Sequence, residues 1–400
     1  MTAHKWQFSS HFRRHAFGWR TGLPMQRLKE AIMEIKKVAR KDPTLGAQGA
    51  VTLLEKLSPA LERVDSSSGA IGSAVNKAVD TLVSIIHEAD PSPAERQEWL
   101  DRLWEAFQDD EVPYIELLGE YWGELCKTPE LASLWADRLQ TAVEMAWTPR
   151  PSGHDFFKGT EACLASLYAA GRYKELLALI DKAPFKWWYD RRWGVKALAA
   201  MGKKAEAIRY AEDSRGRNDP ICQIAAVCED ILLSSGLIEE AYHRYAQDAN
   251  RGTTHLATFR AIAKKYRHKP PEEILRDLMA STPGAEGKWF AAAKEAGLFD
   301  IAAELTTISP TEPRTLTRAA RDYAEKEPQF ALAAGLAALR WISLGYGYEI
   351  TSTDVVDAYT ATTHAATNAA VAPEIIRARI REMCTACNGA FLHSALAHHL

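Results

Sequence analysis

Four hundred residues, 47% hydrophobic and 25% charged, with a net charge of -3, describe a globular chain rather than a disordered one. That length suits two or three ordinary domains or one continuous repeat array. No run of 18 apolar residues occurs, and the start MTAHKWQFSSHFRRHAFGWR has no apolar stretch of the signal-peptide kind. These features argue against a membrane span and predict a cytoplasmic protein, although an Arg-rich start whose first acid is Glu30 also fits an organelle transit peptide. The cysteines Cys126, Cys163, Cys222, Cys228, Cys384 and Cys387 are too few and too irregular for a disulfide framework.

Residues 1–23 form a basic, aromatic segment. Residues 1–41 hold ten Lys or Arg and two Glu, a charge of +8, so -3 minus +8 leaves -11 on the remainder. Lys5, Trp6, Phe8, Phe12, Arg13, Arg14, Phe17, Trp19 and Arg20 combine cations suited to phosphates with rings on which bases could stack. Arg13, Arg14, Trp19 and Arg20 are the candidate contacts of such an arm. The competing expectation is an amphipathic first helix, capped by Ser9 or Ser10, whose aromatic face covers the end of the core.

Residues 24–150 read as an irregular, HEAT-like helical region. Apolar periodicity predicts helices near 24–40, 43–63, 69–88, 92–107, 113–126 and 129–147, with Pro, Ser or Asp at most of their starts, as first-turn and N-cap chemistry requires. Between the second and third lies DSSSGAIG, Asp65 to Gly72. A Ser- and Gly-rich turn before a helix could cradle a phosphate, but no Lys follows Gly72, and a helix junction capped by Asp65 or a following Ser is the simpler reading. Glu116, Glu120 and Glu124, four apart, form an acidic stripe if 113–126 is one helix, and ion pairs with distant Arg or Lys would relieve it.

The turn DSSSGAIG, together with QDDEVPY after the next helix pair, resembles an uncharacterised family of bacterial helical-repeat proteins in which a D-S-S-G-x-I-G turn recurs. That resemblance implies a bacterial cytoplasmic protein and brings no catalytic residues.

From 151 to 345 an apolar helix, a turn and a second amphipathic helix recur, with turns near Gly171, Gly202, Gly236, His268, Gly297 and Glu327, at intervals of 31, 34, 32, 29 and 30 residues. Thr148–Asp155 is the expected seam before them. Gly202 with Ala207, Gly236 with Ala241 and Gly297 with Ala302 resemble the tetratricopeptide repeat in a degenerate form. This implies stacked hairpins with a concave face and names no ligand. Within the array, FKWWYDRRWGVK packs Trp187, Trp188, Tyr189, Arg191 and Arg192 into one junction. Adjacent rings cannot all enter one core from a helix, so part of this cluster is expected at a partner interface.

Residues 346–400 read as a C-terminal helical cap. Cys384 and Cys387 have the spacing of a zinc pair, and a chain reversal at Asn388–Gly389 could return His393 toward them; two buried thiols and a polar tail are the plainer expectation. No catalytic motif is present, and His11 with His15 lacks the Glu of a metalloprotease helix.

The sequence therefore predicts an all-α, right-handed helical-repeat superhelix, HEAT-like and then tetratricopeptide-like, without a cofactor. Its expected function is to bind a protein partner in a concave groove as a non-catalytic scaffold. The alternatives are a nucleic-acid-associated defence or repair component and an enzyme on a helical array.

Overall fold

The computed structural model describes residues 4–150, 153–216, 220–385 and 388–400. Among them the fold is entirely helical, with no strand and only an isolated bridge between Arg150 and Gly153. The chain forms two compact units, Met1–Pro220 and Ile221–Leu400.

Unit 1 contains α1 (Gly22–Ala39), α2 (Pro43–Leu61), α3 (Ala70–Glu88), α4 (Pro93–Gln108), α5 (Trp122–Cys126), α6 (Pro129–Trp147), α7 (Thr160–Ala169), α8 (Tyr173–Ile180), α9 (Trp188–Ala200) and α10 (Lys204–Glu212). Local chemistry starts several of them. Asp42 accepts from Leu45 N, Thr128 accepts from Leu131 N, and Ser92 forms a capping box with Glu95, each satisfying a first-turn N–H that the helix cannot. Inside, Trp104, Phe107, Trp122 and Trp135 pack ring on ring, with Phe157 at the edge of the cluster. α6 packs on α7 and α5 on α7, so the helices on either side of the expected seam at 148–155 share one core.

Three local expectations change. The segment 113–126 is no single helix: a 3-10 turn at Glu116–Gly119 precedes the short α5, so Glu116, Glu120 and Glu124 make no continuous stripe. Buried Asp110 holds the approach to that turn by accepting from the backbone N of Tyr114 and Ile115, at 3.2 and 2.9 Å. Among its described residues before α1, the N-terminal segment has a 3-10 turn at Phe8–Ser10 as its one helical element, in place of an amphipathic helix. Finally, the Asp65 carboxylate accepts from Ser67 N at 3.0 Å, closing a local turn rather than capping α3. Gly69, with φ of 69°, occupies the N-cap position, and nothing lies where a side chain on Gly69 or Gly72 would sit.

Unit 2 contains α11 (Ile221–Leu233), α12 (Ile238–Ala249), α13 (His255–Lys265), α14 (Pro271–Ala280), α15 (Phe290–Glu295), α16 (Phe299–Ile308), α17 (Pro313–Tyr323), α18 (Pro328–Ser343), α19 (Ser352–Asn368), α20 (Pro373–Met383) and α21 (Gly389–Leu396). Each turn expected from the repeat joins two helices in contact: α7 with α8, α9 with α10, α11 with α12, α13 with α14, α15 with α16 and α17 with α18. The glycine turns share one cause. Gly171 has φ of 72°, its N–H donates to Tyr168 O at 3.0 Å, and Arg172 N donates to Leu167 O at 3.0 Å, the paired bonds that close a helix C-terminus. The same bonds recur around Gly202, Gly236 and Gly297. α19 and α20 join in the same way, but Ala370 occupies the left-handed position at φ of 56°.

A buried carboxylate ties the start of unit 2 together. Glu229, fully buried, accepts from Lys265 Nζ at 2.5 Å, Tyr266 Oη at 2.6 Å and Asn250 Nδ2 at 2.8 Å. Burial, then this carboxylate, pushes the Tyr266 phenol far above its usual range. Every oxygen of Glu229 is satisfied, so it reads as structural.

Candidate functional site

The basic N-terminal segment divides its residues by chemistry. Trp6, Phe8, Phe12 and Phe17 are buried in the unit 1 core, and Phe12 meets Phe17 edge to face at 5.5 Å. Glu34 anchors the segment by accepting from Gln7 N and Phe8 N at 2.8 and 3.1 Å. Further along, His15 N donates to Pro59 O and Asp65 N to Trp19 O, at 2.8 and 2.9 Å. Four of the rings counted toward a base-stacking arm are therefore core. Arg13, Arg14 and Arg20 are exposed, as is Trp19 at 71%, and Arg14 lies 4.0 Å from Glu62.

The Phe185–Lys196 segment separates in the same manner. Helix α9 buries Trp188, while Phe185, Trp187 and Tyr189 remain 53%, 58% and 59% exposed. The Phe185 and Trp187 rings stack at 5.2 Å and 14°, and His154 meets the edge of Phe185 at 6.0 Å. Trp188 is thus unavailable to a partner. Arg191 is also unavailable: it is buried, donates to Ser214 Oγ at 2.6 Å and Tyr210 O at 3.0 Å, and lies 3.8 Å from the Tyr210 ring centre.

Arg192 faces the other way, toward α7. Its guanidinium donates to Glu120 Oε1 at 3.1 Å and to Glu161 Oε1, and Trp193 Nε1 reaches the same Glu161 oxygen at 3.4 Å. Lys196 Nζ sits 4.1 Å from the Trp193 ring centre. Burial pushes the Glu161 carboxyl above its ordinary range against the pull of Arg192, and burial followed by the Arg192 charge lowers the Lys196 ammonium. Asp190, in the first turn of α9, is pushed up to about 6 by burial and then by the Glu161 charge, with Arg192 opposing. A half-buried ionic platform thus lies beside the exposed Tyr189 ring, whose centre is 5.5 Å from the Arg192 guanidinium carbon, while Phe185 and Trp187 precede it in the chain. Glu161, Asp190 and Lys196 were not singled out from sequence, because nothing local reveals that α7 and the 116–120 turn approach α9.

Unit 2 holds a second site that sequence reading missed. Between α17 and α19 lies a solvent-open cavity of about 590 Å³. Arg314 clasps Asp354 with two bonds of 2.8 and 2.9 Å, and donates to the backbone carbonyls of Tyr348 and Glu349 at 3.2 and 2.9 Å. Asp354 also completes the capping box of α19 with Thr351; the Arg314 bonds, more than any other contact, hold its carboxyl well below the usual range. Arg318 and Arg321 line the same cavity from α17, and Asp357, Thr360 and His364 line it from α19. A signal existed: Arg314, Arg318 and Arg321 are spaced four and then three apart, which places them on one helix face.

At the C-terminus, α20 stops at Met383 and α21 starts at Gly389, so the chain does break near Asn388. Cys387 lies outside the described residues. Cys384 is half-buried with its thiol raised by burial, His393 is exposed on α21, and among the described residues no group of three His, Cys, Asp or Glu could hold a metal ion. No described helix is long and apolar enough to cross a membrane.

No family model matches the chain, and no match to a curated protein is found.

Proposed function

We propose that the protein is a non-catalytic helical-repeat scaffold that binds a protein partner, with the rings around the N-terminus of α9 as its contact. In this reading the hairpins of each unit stack as tetratricopeptide-like repeats, preceded in unit 1 by HEAT-like helices, in the right-handed sense usual for such arrays. The setting is bacterial and cytoplasmic, in line with the resemblance of the 65–72 turn. The observation that carries the proposal is the exposure of Phe185, Trp187 and Tyr189 around the start of α9, with Tyr189 next to the Glu120–Arg192–Glu161 platform. Large exposed rings beside arginine have the composition of interface hot spots. The test is affinity capture with the full chain and with a Phe185→Ala, Trp187→Ala, Tyr189→Ala variant. The parent should retain a stoichiometric protein that the variant loses by tenfold or more at unchanged melting temperature, a loss of about 1.4 kcal/mol or greater. Equal retention by both chains rules this surface out.

A second reading, nucleic-acid binding, rests on the exposed Trp19 and its neighbours Arg13, Arg14 and Arg20. With four rings withdrawn into the core, it would act chiefly through phosphates, so filter binding to single-stranded DNA and RNA should weaken steeply with salt. Absence of salt-sensitive retention removes it.

A further inference from the structure

Three arginines line the cavity between α17 and α19, and they differ in how far the protein commits them. Arg314 is committed to Asp354 and to the 348–349 backbone, and so fixes the rim. Arg318 is different: it donates only to Arg314 O at 3.2 Å and Thr315 Oγ1 at 3.3 Å, and no carboxylate lies within ion-pair distance of it among the described residues. Among the described residues Arg321 bonds its chain neighbour Asp322 through Nε alone, which leaves the rest of its guanidinium fork open. Both forks line the cavity, opposite His364 and Thr360. That is a convergence of N–H and O–H donors exceeding what one carboxylate can accept, whereas a phosphate monoester offers three terminal oxygens and forked guanidinium recognition suits it.

The remaining walls indicate what the phosphate is attached to. Ile342, Ile350 and Ala361 give an apolar floor, and Asp357, an acceptor-only group when ionised, faces the same space. A bare anion gains nothing from either. An organic body with a hydroxyl or amino group would bury against the floor and donate to Asp357. The volume of about 590 Å³ lies within the range of small-molecule pockets and exceeds what inorganic phosphate needs. The loop leading to Ile350 has φ of 83° at Gly345, 106° at Gly347 and 47° at Glu349, and Arg314 holds it through the Tyr348 and Glu349 carbonyls.

We infer that this cavity binds a phosphorylated small molecule of nucleotide size, its phosphates on Arg318 and Arg321 and its organic part against Ile342, Ile350 and Asp357. The site is independent of the protein-binding surface proposed on α9, so either can fail without the other.

Titration calorimetry of the full chain with ATP and with inorganic pyrophosphate, at low salt and without magnesium, tests it. ATP is expected to bind once per chain and at least about tenfold more tightly than pyrophosphate. Raising salt from about 50 to 200 mM should weaken ATP several-fold, because the contacts are ionic. The double variant Arg318→Gln, Arg321→Gln should lose about thirtyfold or more in affinity while melting with the parent, since both side chains are exposed. ATP binding no tighter than pyrophosphate, binding that survives the double variant, or no binding of either probe at about 1 mM overturns the inference.

Discussion

Both units join the first helices of neighbouring hairpins through an arginine and a carboxylate, yet the results differ. In unit 1, Arg192 on α9 meets Glu161 on α7 and Glu120, and the space beside them is filled by Trp193 with Lys196 against its ring. In unit 2, Arg314 on α17 meets Asp354 on α19, but the neighbouring positions are Thr317, Thr360 and Ala361, and a cavity remains. One indole against small side chains separates a closed ionic platform from an open cationic pocket. A salt bridge between helices thus says little about function until the volume around it is known.

The largest test of this contrast is Arg192→Ala, which leaves two carboxylates uncompensated in a half-buried setting. Urea unfolding should show a loss of about 3–5 kcal/mol, with faster amide exchange confined to α7, α9 and the 116–120 turn. A loss below about 1 kcal/mol would mean that the platform behaves as a surface pair.

Asp190 gives a pH-dependent test of the same platform. A carboxyl that titrates at about 6 in the folded chain, against an ordinary 3.8, holds its proton more tightly when folded. Its contribution therefore favours folding below the lower value and is lost as pH rises through the upper one. Asp190→Asn should exceed the parent in stability by about 1–2 kcal/mol at alkaline pH, a figure reduced for residual solvation, and the difference should vanish below about pH 4. A difference independent of pH would assign the effect to packing.

Smaller effects come from the turns and the pocket. Ala370→Gly should stabilise the chain by about 1 kcal/mol in the same unfolding assay, because Ala370 adopts at φ of 56° what Gly171 adopts at 72° without a side chain. Arg318→Gln, the unit 2 counterpart to the Arg192 test, should change stability by less than about 0.5 kcal/mol, because among the described residues no carboxylate pairs with it and its bonds to Arg314 O and Thr315 Oγ1 are local and exposed. A larger loss would show that the cavity's cations are structural after all.

Much of this molecule is written locally. Of the six hairpin turns, the four closed by paired hydrogen bonds around Gly171, Gly202, Gly236 and Gly297 can be placed from glycine spacing, because a left-handed turn residue is a demand of the chain itself. Helix starts at Asp42, Ser92 and Thr128 are equally local, since a cap bonds only three residues ahead. Segment 113–126 resisted this reading because Asp110 and the packing of α5 on α7 broke what periodicity alone would continue. Ring orientation was half legible: three adjacent aromatics could not share one face, but only packing chose Trp188 for the core and left Trp187 and Tyr189 outside.

By itself, then, the sequence determined the helical class, the turns and the chemistry of each face, all set within one or two turns of helix. Tertiary structure alone decided which charges were spent and which were left over. Glu161 and Arg192 are separated by 31 residues, and Arg314 and Asp354 by 40. Whether such a pair closes on an indole or opens on a cavity depends on side-chain volumes brought together by folding, for which neighbouring residues carry no signal.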